Sequence, residues 1–130
     1  MAEKNMTIEQ ENQCEMIIHA AAASCAAIGV SPIPGSDAPL LIAAQVTMLV
    51  ALSRVFDISL SKSVAESMAK TAFASNIGKV AAGQFAKMIP FFGSVINAGV
   101  AFSITEMIGW DAAREFAKQA QQENLLSVNV

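Results

Sequence analysis

Between two long apolar stretches the chain reads Val30-Ser31-Pro32-Ile33-Pro34-Gly35-Ser36-Asp37-Ala38-Pro39-Leu40. Nothing else constrains the fold as strongly, because no helix or strand can run through it. Each proline fixes its own φ at about −65° and pushes the residue before it toward extended backbone. Pro32 and Pro34 therefore predict a short extended segment. Gly35 frees the backbone, and Ser36 or Asp37 can cap the next helix. Pro39 then falls in that helix's first turn, where a missing N–H costs little. The expectation is a helical hairpin with a stiff, polar-tipped elbow.

Upstream, Thr7 and Gln10 fit a capping box, with Thr7 as N-cap of a first helix. Glu9, Glu11 and Glu15 place negative charge near its positive end. Residues 1–6 are expected to fray. From Met16 the helix becomes alanine-rich and stops at Gly29. Helix two is predicted over Asp37–Phe56, with no charge from Ala38 to Ser53. At about 100° per residue, Thr47, Ser53, Arg54 and Asp57 share one sector and Gln45 falls outside it. Helix two therefore reads as the central helix. Gln45 reads as a buried amide, bonded to backbone at an opposing elbow or to Asn97.

Ser59 or Ser61 is expected to cap helix three, Lys62–Ser75. Val64, Ala65, Met68, Ala69, Ala72 and Phe73 form its apolar stripe, and Lys62, Glu66 and Lys70 its solvated face. Asn76-Ile77-Gly78 weakens the pattern, so Lys79–Met88 is either a separate helix or the same one after a kink. Ile89-Pro90-Phe91-Phe92-Gly93-Ser94 repeats the elbow chemistry. A fifth helix follows over Val95–Ile108. Gly109-Trp110 either interrupts or bends it before an amphipathic segment, Asp111–Asn124. Residues 125–130 are expected to fray.

Strand signals are missing, and tyrosine is absent. The expected fold is all-α: one compact bundle of five to six helices over residues 7–124, built from apolar hairpins with proline elbows. Apolar residues make up 54% and charged residues 15%, and the mean hydropathy is +0.47. That excess predicts burial against further copies, a partner or lipid. The net charge of −3 argues against nucleic acid. The polar, acidic start lacks the features of a signal peptide, so the expected location is cytoplasmic. Spanning a membrane takes about 20 apolar residues. Prolines and glycines break the runs at Met16–Ser36 and Met88–Thr105, and Ala38–Ser53 is too short. A re-entrant or peripheral hairpin at the inner membrane is the alternative.

Candidate chemistry is sparse. His19 is the only histidine. Cys14 lies five residues from it, about 140° around a helix, which does not suit a zinc site. Cys14 and Cys25 are about 16 Å apart along a helix, too far for a disulfide with each other. They read as small buried side chains. His19 with Cys25 is the single conceivable nucleophile–base pair. Asp37 reads as a cap, and Glu106 as a partner for an elbow N–H. No phosphate-binding loop exists. The expectation is no enzyme, no cofactor and no metal.

Pro32-Ile33-Pro34-Gly35-Ser36-Asp37-Ala38-Pro39-Leu40, followed by Gln45, Met48 and Leu52, resembles the signature of domain of unknown function family 697. Ile89-Pro90 with Gly93, and Thr105-Glu106 with Gly109-Trp110, add to the likeness, which covers about Glu15 to Lys118. Asp57 stands where this family usually has glycine. The resemblance implies a helical accessory module of bacterial proteins, often C-terminal to a Ras-like GTPase domain and often membrane-associated. It carries over structural positions only: Pro32, Pro34, Asp37, Gln45, Met48, Pro90, Gly93, Thr105 and Gly109. The expected function is a non-enzymatic, self-associating interaction or scaffolding module that works with a separately encoded GTPase-like partner. The alternative is a membrane-associated protein that inserts an apolar hairpin.

Overall fold

The computed structural model describes residues 5–28, 38–81 and 98–128. Four helices account for nearly all of them: α1 (Ile8–Ile28), α2 (Ala38–Val55), α3 (Lys62–Ala81) and α4 (Ala98–Val128). No strand occurs among the described residues. Among the described residues the all-α expectation holds, with four helices in place of the expected five to six.

The difference lies at two glycines. Gly78 does not break α3, which runs on to Ala81. Gly109-Trp110 does not interrupt α4, which stays continuous for 31 residues. A glycine inside a helix costs about 1 kcal/mol. Packing on both sides of Gly109 outweighs that cost, because Ile108, Ala112, Ala113, Phe116 and Ala117 all enter the core.

Local chemistry explains the helix ends. The Thr7 N–H donates to Gln10 Oε1 and the Gln10 N–H to Thr7 Oγ1, both at 3.0 Å, so the capping box is formed. Met6, just ahead of it, is buried. Ser61 is the cap of α3: its hydroxyl accepts from the Val64 N–H and its carbonyl from the Ala65 N–H. Pro39 falls in the first turn of α2.

The α2 C-terminus closes in a Schellman turn. The Ile58 N–H donates to the Ser53 carbonyl and the Asp57 N–H to that of Arg54. Asp57 takes φ 56°, the left-handed conformation that glycine would adopt most easily. The aspartate thus keeps the glycine's backbone. Ile58, the next residue, packs on the core.

The helices alternate up and down. α4 runs antiparallel to α1, with His19 beside Glu106 and Ile18 beside Gly109. It runs parallel to α2, with Gln45 beside Thr105 and Met48 beside Gly109. α2 touches α1, α3 and α4, as expected of a central helix. α1 and α3 lie on opposite flanks of the α2–α4 pair. Cys25, Leu41 and Ala101, with Ile28, Ala44 and Phe73, form one end of the core. The helix ends flanking residues 29–37 and 82–97 therefore gather at one pole.

Two side-chain expectations need correction. Val64, placed on the α3 stripe, is half exposed, whereas Ala65 and Ala69 are fully buried. Ser53, placed in the polar sector of α2, is buried. Its hydroxyl is satisfied by donating 2.7 Å to the Val50 carbonyl, so burial carries no orphan donor.

Candidate functional site

Pro32, Pro34, Asp37, Pro90 and Gly93 lie outside the described residues. The other four motif positions, Gln45, Met48, Thr105 and Gly109, come together where α2 and α4 run side by side under α1.

Gln45 is 1% exposed and Thr105 is fully buried. With the amide oriented as in the structure, Gln45 Nε2 donates to Thr105 Oγ1 at 3.3 Å. Among the described residues Gln45 thus bonds to α4; Asn97 and both elbows, its expected partners, lie outside them. Gln45 Oε1 meets no donor among them. The Cys25 sulfur is also hydrogen-bonded to Thr105. Three helices therefore share one small polar cluster, bordered by Leu41 and Ala101, which pack with Cys25. One turn further along α2 and α4, Met48 and Ile18 close over Gly109 with no room for a side chain.

A second grouping was not visible in the sequence. His19 Nδ1 lies 2.6 Å from Glu106 Oε2, and His19 Nε2 lies 3.5 Å from Glu15 Oε1. Glu106 thus bridges to α1; the elbows, where its partner was expected, lie outside the described residues. The hydrogen bond to Glu106 chiefly raises the His19 pKa; desolvation opposes it, and the charges of Glu106 and Glu15 add to it. The two carboxylates bind opposite ring nitrogens, so they do not converge on one point. No group of three His, Cys, Asp or Glu side chains among the described residues could hold a metal.

Cys25 is buried against Thr105 rather than presented to His19, and burial pushes its thiol up, away from the thiolate a nucleophile needs. Cys14 is likewise buried, and burial with the nearby Glu11 charge pushes it to about 11. Both cysteines are free.

The third feature is a trough between α2 and α3 of about 610 Å³. Ile42, Ala43 and Val46 form its floor, and Lys62, Glu66 and Lys70 form one rim. The sequence marked this rim only as a solvated face. No helix among the described residues is long and apolar enough to cross a membrane.

Among the described residues these features define an all-α domain of four helices, in which Gln45, Met48, Thr105 and Gly109 join helix to helix. The chain belongs to the DUF697 family, a domain of unknown function, whose sequence model matches residues 1–128. No curated protein and no solved structure matches the chain significantly.

Proposed function

We propose that this chain is a non-enzymatic interaction module that associates with itself and works with a separately encoded GTPase-like partner. The observation that carries this reading is how its apolar side chains are distributed. Gln45, Met48, Thr105 and Gly109 are all used to join α2 and α4, yet the outside keeps large apolar side chains. Ile8, Met16, Leu40, Val64, Phe102, Leu125 and Leu126 are all exposed. On a chain with 15% charged residues, such side chains supply the material of a protein interface. The GTPase-like partner rests on the usual context of the family that the motifs resemble.

Sedimentation velocity without detergent tests self-association. Species heavier than the 13.6 kDa chain should appear as concentration rises. A single species of monomer mass at every concentration overturns it.

A membrane-surface role is the second reading. From Met16 onward, Met16, Ala20, Ala23 and Ala27 form an exposed face of α1 without formal charge. It predicts that the chain pellets with liposomes and resists extraction by high salt. A chain that stays in the supernatant at all lipid ratios does not use that face for lipid.

A further inference from the structure

The geometry points to a head-to-tail contact between copies of this chain, in which the first two turns of one copy's α1 lie in the α2–α3 trough of the next. This rests on the self-association proposed above and names its surface.

The trough is half open, with an apolar floor and one charged rim. That shape suits an amphipathic helix laid lengthwise. Glu66 pairs with Lys70 at 3.1 Å, so two lysines and one glutamate leave the rim with one net positive charge. The trough runs from Pro39 to Thr47 on α2 and from Lys62 to Lys70 on α3. Because α2 and α3 are antiparallel, these stretches meet near Thr47 and Lys70 and together extend about 24 Å at 1.5 Å per residue.

The start of α1 fits within that length and complements that charge. Ile8 and Met16 are about 12 Å apart. They are 67% and 73% exposed, among the most exposed large apolar side chains described. With Asn12 they occupy a stripe about 80° wide. Glu9 flanks the stripe on one side and Glu15 on the other, so a carboxylate meets the lysine rim with the helix laid in either direction. α1 and α3 lie on opposite flanks of α2–α4, so a copy does not fill its own trough. Each copy offers one knob and one groove. Such a heterologous contact builds rings or open chains.

Sedimentation equilibrium on the full chain tests this with two double variants, Lys62→Glu with Lys70→Glu and Glu9→Lys with Glu15→Lys. All four positions are exposed, and circular dichroism checks that the fold is kept. Each variant alone sets like charge against like and should weaken self-association at least tenfold. Mixing the two restores opposite charges at every contact and should restore association. If the wild-type chain associates and neither variant changes it, the trough is not the contact, although self-association stands. If the wild-type chain is monomeric throughout, both readings fall. If the lysine variant loses only binding to anionic vesicles, the occupant is lipid and the inference is overturned.

Discussion

Ile18 Cγ1 lies 2.7 Å from the point where a side chain at Gly109 would place its Cβ, and Met48 Sδ lies 3.0 Å from it. Ile18 of α1 and Met48 of α2 both reach α4 here because α4 offers only backbone. Gly109→Ala gains about 1 kcal/mol of helix propensity. It must also displace Ile18, which is fully buried and stiff at χ1. Overpacking of this kind costs about 1–3 kcal/mol. The expected result is a net loss of stability in urea unfolding. Ile18→Ala removes both clashing carbons, so the double variant should lose less stability than the two single losses added together.

The bond between Gln45 and Thr105 makes a different prediction. Thr105→Val leaves Gln45 buried with neither end of its amide paired among the described residues. An orphaned buried group costs about 1–3 kcal/mol. Adding Gln45→Leu removes that group. The double variant should then be more stable than Thr105→Val alone, with a coupling energy of about 1 kcal/mol in a double-mutant cycle. Strict additivity would show that the bond holds nothing.

These two contacts show what the sequence could and could not reveal. Periodicity alone placed Ala65 and Ala69 inward, and the Thr7–Gln10 box marked the first helix start. Both signals are local. Gly78 and Gly109 read as breaks or bends because helix propensity is local; at Gly109 packing overrides it. Gln45 was recognisable as a buried amide on a charge-free helix, but its partner, 60 residues away, depended on α2 and α4 being parallel. His19 and Glu106, 87 residues apart, carried no shared signal. The trough was illegible for the same reason, since its floor and its rim belong to different helices.

The His19–Glu106 pair should give stability a measurable pH dependence. Its hydrogen bond to Glu106 raises the His19 pKa above the ordinary 6.5. The folded chain therefore holds this proton more tightly than the unfolded chain. The stabilisation is fully present below about pH 6.5 and is lost as pH rises through the folded pKa. His19 is half exposed, so solvent screening limits the effect to about 1 kcal/mol or less. Urea midpoints between pH 6 and pH 8.5 should fall for the wild-type chain, with a flatter profile for Glu106→Gln. An NMR titration giving His19 a pKa at or below 6.5 would remove the basis for it.

Asp57 offers a stabilising change. Its left-handed backbone costs a non-glycine residue about 1–2 kcal/mol, although aspartate tolerates it better than most. The carboxylate also sits just past the negative end of α2. Asp57→Gly keeps both turn hydrogen bonds, since both are made by backbone. After the extra chain entropy of glycine is subtracted, a gain of about 0.5–1 kcal/mol is expected. Thermal unfolding should show a higher Tm, whereas Asp57→Val should lower it.

The buried cysteines predict a loss of stability at alkaline pH. Burial, with the Glu11 charge, pushes Cys14 from 9.0 to about 11, and burial raises Cys25 while Thr105 partly offsets it. Both thiols thus hold their protons more tightly in the folded chain. Their contribution is complete below about pH 9 and is lost as pH rises through the folded values. For Cys14 alone the loss is on the order of 2 kcal/mol. Cys14→Ala should flatten the decline between pH 9 and pH 11, and alkylation by iodoacetamide at pH 8 should proceed only as fast as the chain unfolds. Rapid labelling of the native chain at pH 8, with unfolding slow under the same conditions, would contradict the burial on which this rests.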